Sequence, residues 1–122
     1  MGDTIVTTSS RVSEATAYPS TPVAGVQQVL SALADPVRLE MVRRLTNTGS
    51  PMPCALLYDG INKSTATHHF KILREAGLTE RLVIDGHVLQ RLRADDVDAA
   101  VPGLLDSIVA GANREVTARA GS

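Results

Sequence analysis

The side chains best suited to chemistry in this sequence lie close together, in one run between residues 63 and 74. They carry hydroxyls, an imidazole or a positive charge, and they are Lys63, Ser64, Thr65, Thr67, His68, Lys71 and Arg74. No acidic residue stands among them. Such side chains hydrogen-bond base edges and reach phosphates when the start of a helix enters the major groove of DNA. The run therefore indicates contact with a nucleic acid, although a polar stripe on a helix is more often only a solvated surface.

This run is predicted to form a helix from about Lys63 to Ala76. Asn62 stands directly before it and can accept a hydrogen bond from the free amides of the first turn. Gly77 follows it, where a left-handed residue usually ends a helix. Apolar or bulky residues recur at helical spacing and lay one stripe against a core: Ala66, His69, Phe70, Leu73 and Ala76. We expect His69 to be packed and hydrogen-bonded, whereas the residues of the opposite side face outward.

A β-hairpin is predicted directly after this helix. Apolar residues flank Asp85-Gly86, a dipeptide that favours the two-residue type I′ turn. Such a turn fixes three opposite pairs: Ile84 with His87, Leu82 with Leu89, and Glu80 with Arg91. The basic residues of the hairpin are the candidates for contacting phosphates: Arg81, His87, Arg91 and Arg93. Because a helix followed by a hairpin is the order found in a winged helix-turn-helix, the hairpin strengthens the prediction of DNA binding.

Two further helices are predicted upstream. Asp35 can cap a helix that begins at Pro36, a residue type favoured at the first helical position, and that runs to about Thr46. A short helix follows from Pro53 and ends at Asp59-Gly60. We expect this short helix to be the scaffold that crosses in front of the polar-faced one.

The motifs on these elements resemble those of the ArsR/SmtB family of small dimeric winged-helix repressors. The likeness covers roughly residues 24 to 110 and is carried by ADPVRLEMVRRL, by STATHHFKILREAGL and by the DGH hairpin tip. It implies a mainly α winged helix-turn-helix with about five helices and a two-stranded wing, in which the helix carrying Lys63 to Lys71 is the recognition helix. It also implies that the first and last helices form the dimer and that an effector releases the operator. The segment between Leu57 and Asn62 looks shorter than the commonest family pattern, which affects the geometry of the short helix.

Length and composition fit one small domain. The chain has 122 residues, of which 43% are apolar, and its aromatic residues are Tyr18, Tyr58 and Phe70, so an aliphatic core is predicted. The net charge of −1 argues against a protein that coats nucleic acid indiscriminately, but basic residues outnumber acidic ones between residues 62 and 93. We predict a disordered arm over residues 1–22, a DNA-binding and dimerisation domain over residues 23–112 and a flexible tail over residues 113–122. A single cysteine and the lack of a signal peptide favour a cytoplasmic location.

Two apolar stripes flank the DNA-binding motif and are predicted to form the dimer interface. The first consists of Val23, Val26, Val29, Leu30 and Leu33. The second consists of Val97, Val101, Leu104, Leu105, Ile108 and Val109. Pro102 lies inside the second stripe and is predicted to start a new helix, since proline lacks the amide that a helix interior needs. The alternative is that both stripes pack within one subunit.

The sequence lacks the residues that metal sensing or catalysis would need. Cys54 has no second thiol nearby and no histidine follows His87, so no metal or cofactor is predicted. A metal site assembled from two subunits stays open, as does a redox role for Cys54 in place of simple packing. No nucleophile, base and acid stand at catalytic spacing, and an enzyme is not expected. A winged helix that binds a protein is a further alternative, against which the charged hairpin tip speaks.

The sequence thus predicts a homodimeric transcriptional repressor that binds an inverted-repeat operator in double-stranded DNA and is released by an effector other than a conventionally ligated metal. The residues expected to probe bases are Ser64, Thr65, Thr67 and His68. The residues expected to hold phosphates are Lys63, Lys71, Arg74, Arg81, His87 and Arg91. A two-fold axis should place the two recognition helices about 34 Å apart, in successive major grooves.

Overall fold

The computed structural model of this protein describes residues 21–121. Its helices in chain order are α1 (Val26–Ala34), α2 (Pro36–Thr48), α3 (Lys63–Glu75), α4 (Ala94–Ala100) and α5 (Leu104–Gly121). Its strands are β1 (Met52–Pro53), β2 (Thr79–Ile84) and β3 (His87–Leu92), and a single 3₁₀ turn, η1, covers Cys54–Leu56. The predicted mainly α winged helix-turn-helix with a β-hairpin is confirmed.

Helix α2 begins where the sequence predicts. One carboxylate oxygen of Asp35 accepts hydrogen bonds from the amides of Val37 and Arg38, at 2.9 and 3.1 Å. The helix continues two residues beyond the predicted end, to Thr48, and stops at Gly49, whose φ of +70° is left-handed. Helix α2 contacts α1, α3, α5 and β3 and therefore lies at the centre of the domain.

The hairpin has the predicted register, with Ile84 opposite His87 and Glu80 opposite Arg91. Asp85 and Gly86 both have positive φ, 52° and 79°, as a type I′ turn requires. The sheet nevertheless contains one strand more than predicted, because β1 pairs with β3 to give the order β1-β3-β2.

The short helix predicted from Pro53 to Asp59-Gly60 is instead the end of β1 followed by η1. Met52 pairs with Gln90 of β3, so the chain enters this region in extended form and has room for only one 3₁₀ turn before α3. The shortness of the segment between Leu57 and Asn62 is consistent with that single turn.

The core is aliphatic, as predicted, with Phe70 as the one aromatic side chain of its buried set within residues 21–121. The largest fully buried apolar side chains come from α1, α2, α3, α4 and the segments on either side of α3: Val29, Met41, Val42, Leu57, Leu73, Leu78 and Val97. The half-buried ring of Tyr58 packs edge-on against Phe70, with centroids 6.2 Å apart. Leu82 of β2 is also buried, and β2 contacts α3, so the hairpin packs on the helical part of the domain.

The C-terminal region differs from the prediction in two ways. Pro102 does not start a helix: it lies with Gly103 in a turn between α4 and α5, because Gly103 has a φ of +78° that no right-handed helix accommodates. Helix α5 continues to Gly121, where a flexible tail from residue 113 was predicted. Almost all of the predicted N-terminal arm lies outside the described residues.

The two apolar stripes are used differently. In the second stripe, Leu105 and Val109 are buried within the chain. In the first, Val29 and Leu33 pack inward while Val26 and Leu30 stay 53% and 44% exposed, so α1 keeps an uncovered apolar face. No helix within residues 21–121 is both long and apolar enough to cross a membrane.

Candidate nucleic-acid interface

Helix α3 is fixed at its start and along its buried side. The side-chain oxygen of Asn62 accepts hydrogen bonds from the Thr65 amide at 2.8 Å and from the Ser64 hydroxyl at 3.0 Å, so the predicted cap is confirmed. Ala66, Phe70 and Leu73 are buried in the core. Because successive side chains on a helix are rotated by roughly 100°, this buried face determines where every other side chain of α3 points.

Three of the predicted residues form the outward crest of α3. Ser64, His68 and Lys71 lie opposite the buried face and are exposed. Thr65 is also exposed but lies on the flank remote from the hairpin, by the same rotation. Among the residues that the structure describes, Lys71 makes no ion pair, and its ammonium is therefore available to an external anion.

The remaining predicted residues of α3 line a cleft between this helix and the hairpin. The cleft has a volume of about 600 Å³. Its helix wall consists of Lys63, Thr67, Phe70 and Arg74, and its sheet wall consists of Arg81, Val88 and Gln90. Cys54, Ala55 and Tyr58 close the third side. The structure thus brings three predicted phosphate ligands, Lys63, Arg74 and Arg81, to one opening.

The basic residues of the wing have unequal freedom. Arg81 is exposed and makes no ion pair within residues 21–121, and His87 is exposed beside the turn. Arg91 forms the predicted ion pair with Glu80, so its charge is partly neutralised. Arg81 and His87 can therefore contact a phosphate directly, whereas a phosphate must compete with Glu80 for Arg91.

Arg93 was predicted as a phosphate contact, and this prediction is wrong. Its side chain is only 7% exposed and donates hydrogen bonds to the carbonyls of Thr21 and Gly77. Its guanidinium also pairs with Asp96 at 3.1 Å. These contacts join the end of the hairpin to α4 and to the segment before α1, and the residue is structural.

Arg44 supports the approach to α3 and was not singled out from the sequence. Its guanidinium donates to Glu40 at 2.7 Å, to Asp59 at 2.6 Å and to the carbonyl of Leu56 at 3.1 Å. It therefore ties α2 to η1 and to the loop that precedes α3. Hydrogen bonds from Arg43 and Arg44 lower the pKa of Glu40 from 4.5 to about 2, against an opposing contribution from burial.

Arg38 connects three helices, and only its place in the ADPVR motif marked it in the sequence. It donates to the carbonyl of Ala32 in α1 at 2.7 Å and lies 3.0 Å from Nδ1 of His69 in α3. His69 is half-buried, and the prediction that it is a packed, hydrogen-bonded residue is confirmed. Since α3 carries the candidate DNA contacts, Arg38 helps to set their position relative to α1.

Within residues 21–121, no group of three or more His, Cys, Asp or Glu side chains lies close enough to hold a metal ion. Cys54 is half-buried and free. Its sulfur lies 3.7 Å from the amide nitrogen of Gln90, and both residues line the cleft.

The chain is similar to known regulators over most of its described length. A family model described as a helix-turn-helix domain matches residues 33–81, which contain α2, η1 and α3. An uncharacterised HTH-type transcriptional regulator of Bacillus subtilis (strain 168), YceK, is 36% identical over 83 residues, which are 66% of this chain and 83% of that protein.

Two solved structures share the architecture. The crystal structure of the transcriptional repressor BigR from Xylella fastidiosa has a TM-score of 0.50 and 27% identity, over 62% of this chain and 78% of that one. An ArsR-like transcriptional regulator from Rhodococcus sp. RHA1 has a TM-score of 0.54 over 75% of this chain and 86% of that one, and at 20% identity it supports the fold alone. With its motifs, its wing and the B. subtilis relative in agreement, the chain belongs to the ArsR family of winged helix-turn-helix transcriptional regulators.

Proposed function

We propose that the protein is a homodimeric repressor that binds an inverted-repeat operator and is released by an effector other than a conventionally ligated metal. The observation that carries the proposal is the composition of the α3 crest. Ser64, His68 and Lys71 project from one face of a capped helix, and the cations at the neighbouring cleft have no intramolecular ion pair within residues 21–121. Unpaired cations beside hydrogen-bonding side chains are the arrangement that phosphate positioning and base readout require.

The hydroxyl hydrogen bonds within α3 suggest which base groups are read. Ser64 donates its proton to Asn62, and Thr67 donates its proton to the carbonyl of Lys63 at 2.9 Å. Both oxygens therefore keep lone pairs for accepting a hydrogen bond. The amino groups of adenine and cytosine are the donors that the major groove presents, and we assign them as the partners of these hydroxyls.

The cationic side chains are the ones that can hold phosphates and so position the protein on DNA. Lys71 on the crest and Lys63, Arg74 and Arg81 at the cleft are the phosphate ligands in this proposal, with His87 at the wing tip. The wing then lies beside the groove that α3 enters. Arg91 joins these residues only where a phosphate replaces Glu80 as its partner.

Dimerisation is supported by the uncovered face of α1. Val26 and Leu30 are both more than two-fifths exposed, and a two-fold partner would bury them. Two copies also double the number of phosphate contacts, which steepens the salt dependence of binding. Repression is favoured over activation because BigR, which shares this architecture, is a transcriptional repressor.

The test is fluorescence anisotropy with two labelled duplexes, one from directly upstream of the protein's own gene and one of random sequence, at low and physiological salt. We expect tight, salt-sensitive binding that prefers the upstream duplex. Equal and weak binding to both duplexes would contradict the proposal.

A second function has one observation in its favour. The wing exposes three aliphatic side chains, Val83, Ile84 and Val88, each at least 37% accessible. Exposed apolar residues on a hairpin suit a protein partner, so a winged-helix interaction module is the alternative proposal. Equal and weak binding in the anisotropy experiment would favour it.

A further inference from the structure

The cleft between α3 and the wing contains more than phosphate ligands. Its floor and walls include the aromatic rings of Phe70 and Tyr58 and the aliphatic side chain of Val88. A phosphate diester would use the cations at the opening and leave this apolar interior empty. At about 600 Å³ the cleft is within the range of volumes that small-molecule sites have in proteins.

Gln90 supplies a second, independent feature. The side chain is only 2% exposed and lines the cleft, yet its carbonyl oxygen has no hydrogen-bond partner among the described residues. A buried polar atom without a partner costs free energy, and native structures usually satisfy such atoms. The terminal torsion of glutamine is broad, so a small rotation of the amide can present this oxygen to a donor inside the cleft.

We propose that the cleft binds a small organic anion with an aromatic body, a carboxylate at one end and a hydroxyl at the other. The carboxylate lies at the opening among Lys63, Arg74 and Arg81. The ring packs against Phe70 and Tyr58. The hydroxyl donates to Gln90, which removes the unsatisfied acceptor.

The small anion regulates DNA binding in this proposal, because both ligands use the same cationic residues. This step rests on the proposed DNA-binding function. The anion neutralises the cations that would otherwise hold phosphates, and so DNA and the small anion compete for one set of charges. Each cation removed from the phosphate contacts lowers the affinity for DNA and reduces its dependence on salt.

Cys54 provides a reporter that does not depend on DNA. The chain has one cysteine, and its half-buried thiol lines the cleft. A ligand in the cleft covers this thiol. Its rate of alkylation by iodoacetamide therefore measures occupancy at one known position.

The test uses the full chain with three probes: 4-hydroxybenzoate, its neutral analogue 4-hydroxybenzamide, and inorganic phosphate. In isothermal titration calorimetry we expect 4-hydroxybenzoate to saturate one site per chain with a Kd below about 1 mM, and the neutral analogue to bind at least about tenfold more weakly. Saturating 4-hydroxybenzoate should slow the alkylation of Cys54 severalfold. Phosphate that binds as well as 4-hydroxybenzoate would overturn the proposal, because the cleft would then be only an anion subsite.

Two variants separate the site from the rest of the molecule. Gln90→Leu removes the acceptor, and Ala55→Trp fills the cleft from its exposed edge; each should weaken 4-hydroxybenzoate binding at least about tenfold. Ala99→Trp adds the same ring on the exposed surface of α4 and should leave binding unchanged. Affinity unaltered in both cleft variants, with circular dichroism confirming that they fold, would overturn the proposal.

A DNA measurement distinguishes failure of the site from failure of the proposed function. If both hold, 4-hydroxybenzoate lowers the affinity for the upstream duplex at least about tenfold in the wild type and not in Ala55→Trp. Binding of 4-hydroxybenzoate with protection of Cys54, in a protein that shows no preference for the upstream duplex, supports the site and contradicts the proposed function. Specific DNA binding without any binding of 4-hydroxybenzoate contradicts the site alone.

Discussion

Arg38 of α2 lies 3.0 Å from Nδ1 of His69 in α3, and because a guanidinium can only donate, the imidazole nitrogen must accept. The same side chain donates to the carbonyl of Ala32 at 2.7 Å. One residue at the start of α2 therefore fixes the end of α1 and the middle of the helix that carries the candidate DNA contacts.

Replacing Arg38 with methionine should lower the free energy of unfolding by about 1–3 kcal/mol, since a half-buried imidazole and a carbonyl lose a charged donor while the aliphatic volume is kept. Urea denaturation followed by circular dichroism measures the change. Arg119→Met, at an exposed position near the end of α5, is the matched control and should stay within about 0.5 kcal/mol of wild type. Equal stability of Arg38→Met and wild type would remove Arg38 from its positioning role.

Gly77 is required for two separate reasons. Its φ is +79°, and an added Cβ would lie 2.6 Å from both the carbonyl oxygen of Pro22 and the Cα of Val23. Gly77→Ala should therefore cost at least about 2 kcal/mol, through left-handed strain and backbone displacement together.

Two other glycines separate these contributions. Gly49→Ala, at φ +70° with open space around it, should cost only the conformational strain, about 1 kcal/mol. Gly25→Ala has neither strain nor close contact, and because the lower entropy of the unfolded chain offsets the poorer N-cap of α1, it should be near neutral. Urea midpoints that place Gly77→Ala level with Gly49→Ala would show that the close approach of Pro22 carries no energy.

The ion pairs of Glu40 predict how stability depends on acid. The pKa of Glu40 is about 2 in the folded chain against 4.5 without its partners, so its contribution is complete above pH 4.5 and is lost as the pH falls from 4.5 to 2. The carboxylate is nearly a third exposed, and solvent screening limits its contribution to about 1 kcal/mol.

Glu40→Gln should therefore reduce stability at pH 7 by about 1 kcal/mol and flatten the loss of stability between pH 4.5 and 3. Urea unfolding at pH 7, 4.5 and 3 measures both effects. Glu115→Gln, at an exposed position of α5, should keep the wild-type slope. A wild-type slope in Glu40→Gln would assign the acid sensitivity to other carboxylates.

Features set by neighbouring residues were predictable from the sequence. The Asp35 cap, the Asn62 cap and the Asp85-Gly86 turn each depend on chain geometry within a few residues, and all three are confirmed. The turn also fixed the hairpin register, because a two-residue loop allows one pairing only. Local signals thus sufficed to place both elements that carry the candidate DNA contacts.

Features set by distant residues were not predictable in the same way. Strand β1 exists only because Met52 meets Gln90 of β3, far along the chain. Arg93 stands in the sequence like any wing cation, and only its contacts with Thr21 and Gly77 show that it is structural. The cleft likewise needs α3, η1 and the hairpin together, so no motif within one element could indicate it.

We expect the exposed residues on the crest of α3 to have different roles on DNA. Lys71→Ala should weaken binding to the upstream and the random duplex by the same factor and reduce the salt slope by about one unit for each lost phosphate contact, because an ammonium on a phosphate carries no sequence information. His68→Ala should instead lower the ratio of specific to random binding. If the imidazole reads a base edge, the discrimination free energy should fall by about 1–3 kcal/mol. Arg119→Ala removes an exposed cation in the last turn of α5 and should change neither quantity. Anisotropy titrations at several salt concentrations give both the slope and the ratio. If Lys71→Ala leaves the affinity and the salt slope unchanged, α3 does not enter the groove by this face, and the proposed placement on DNA is wrong.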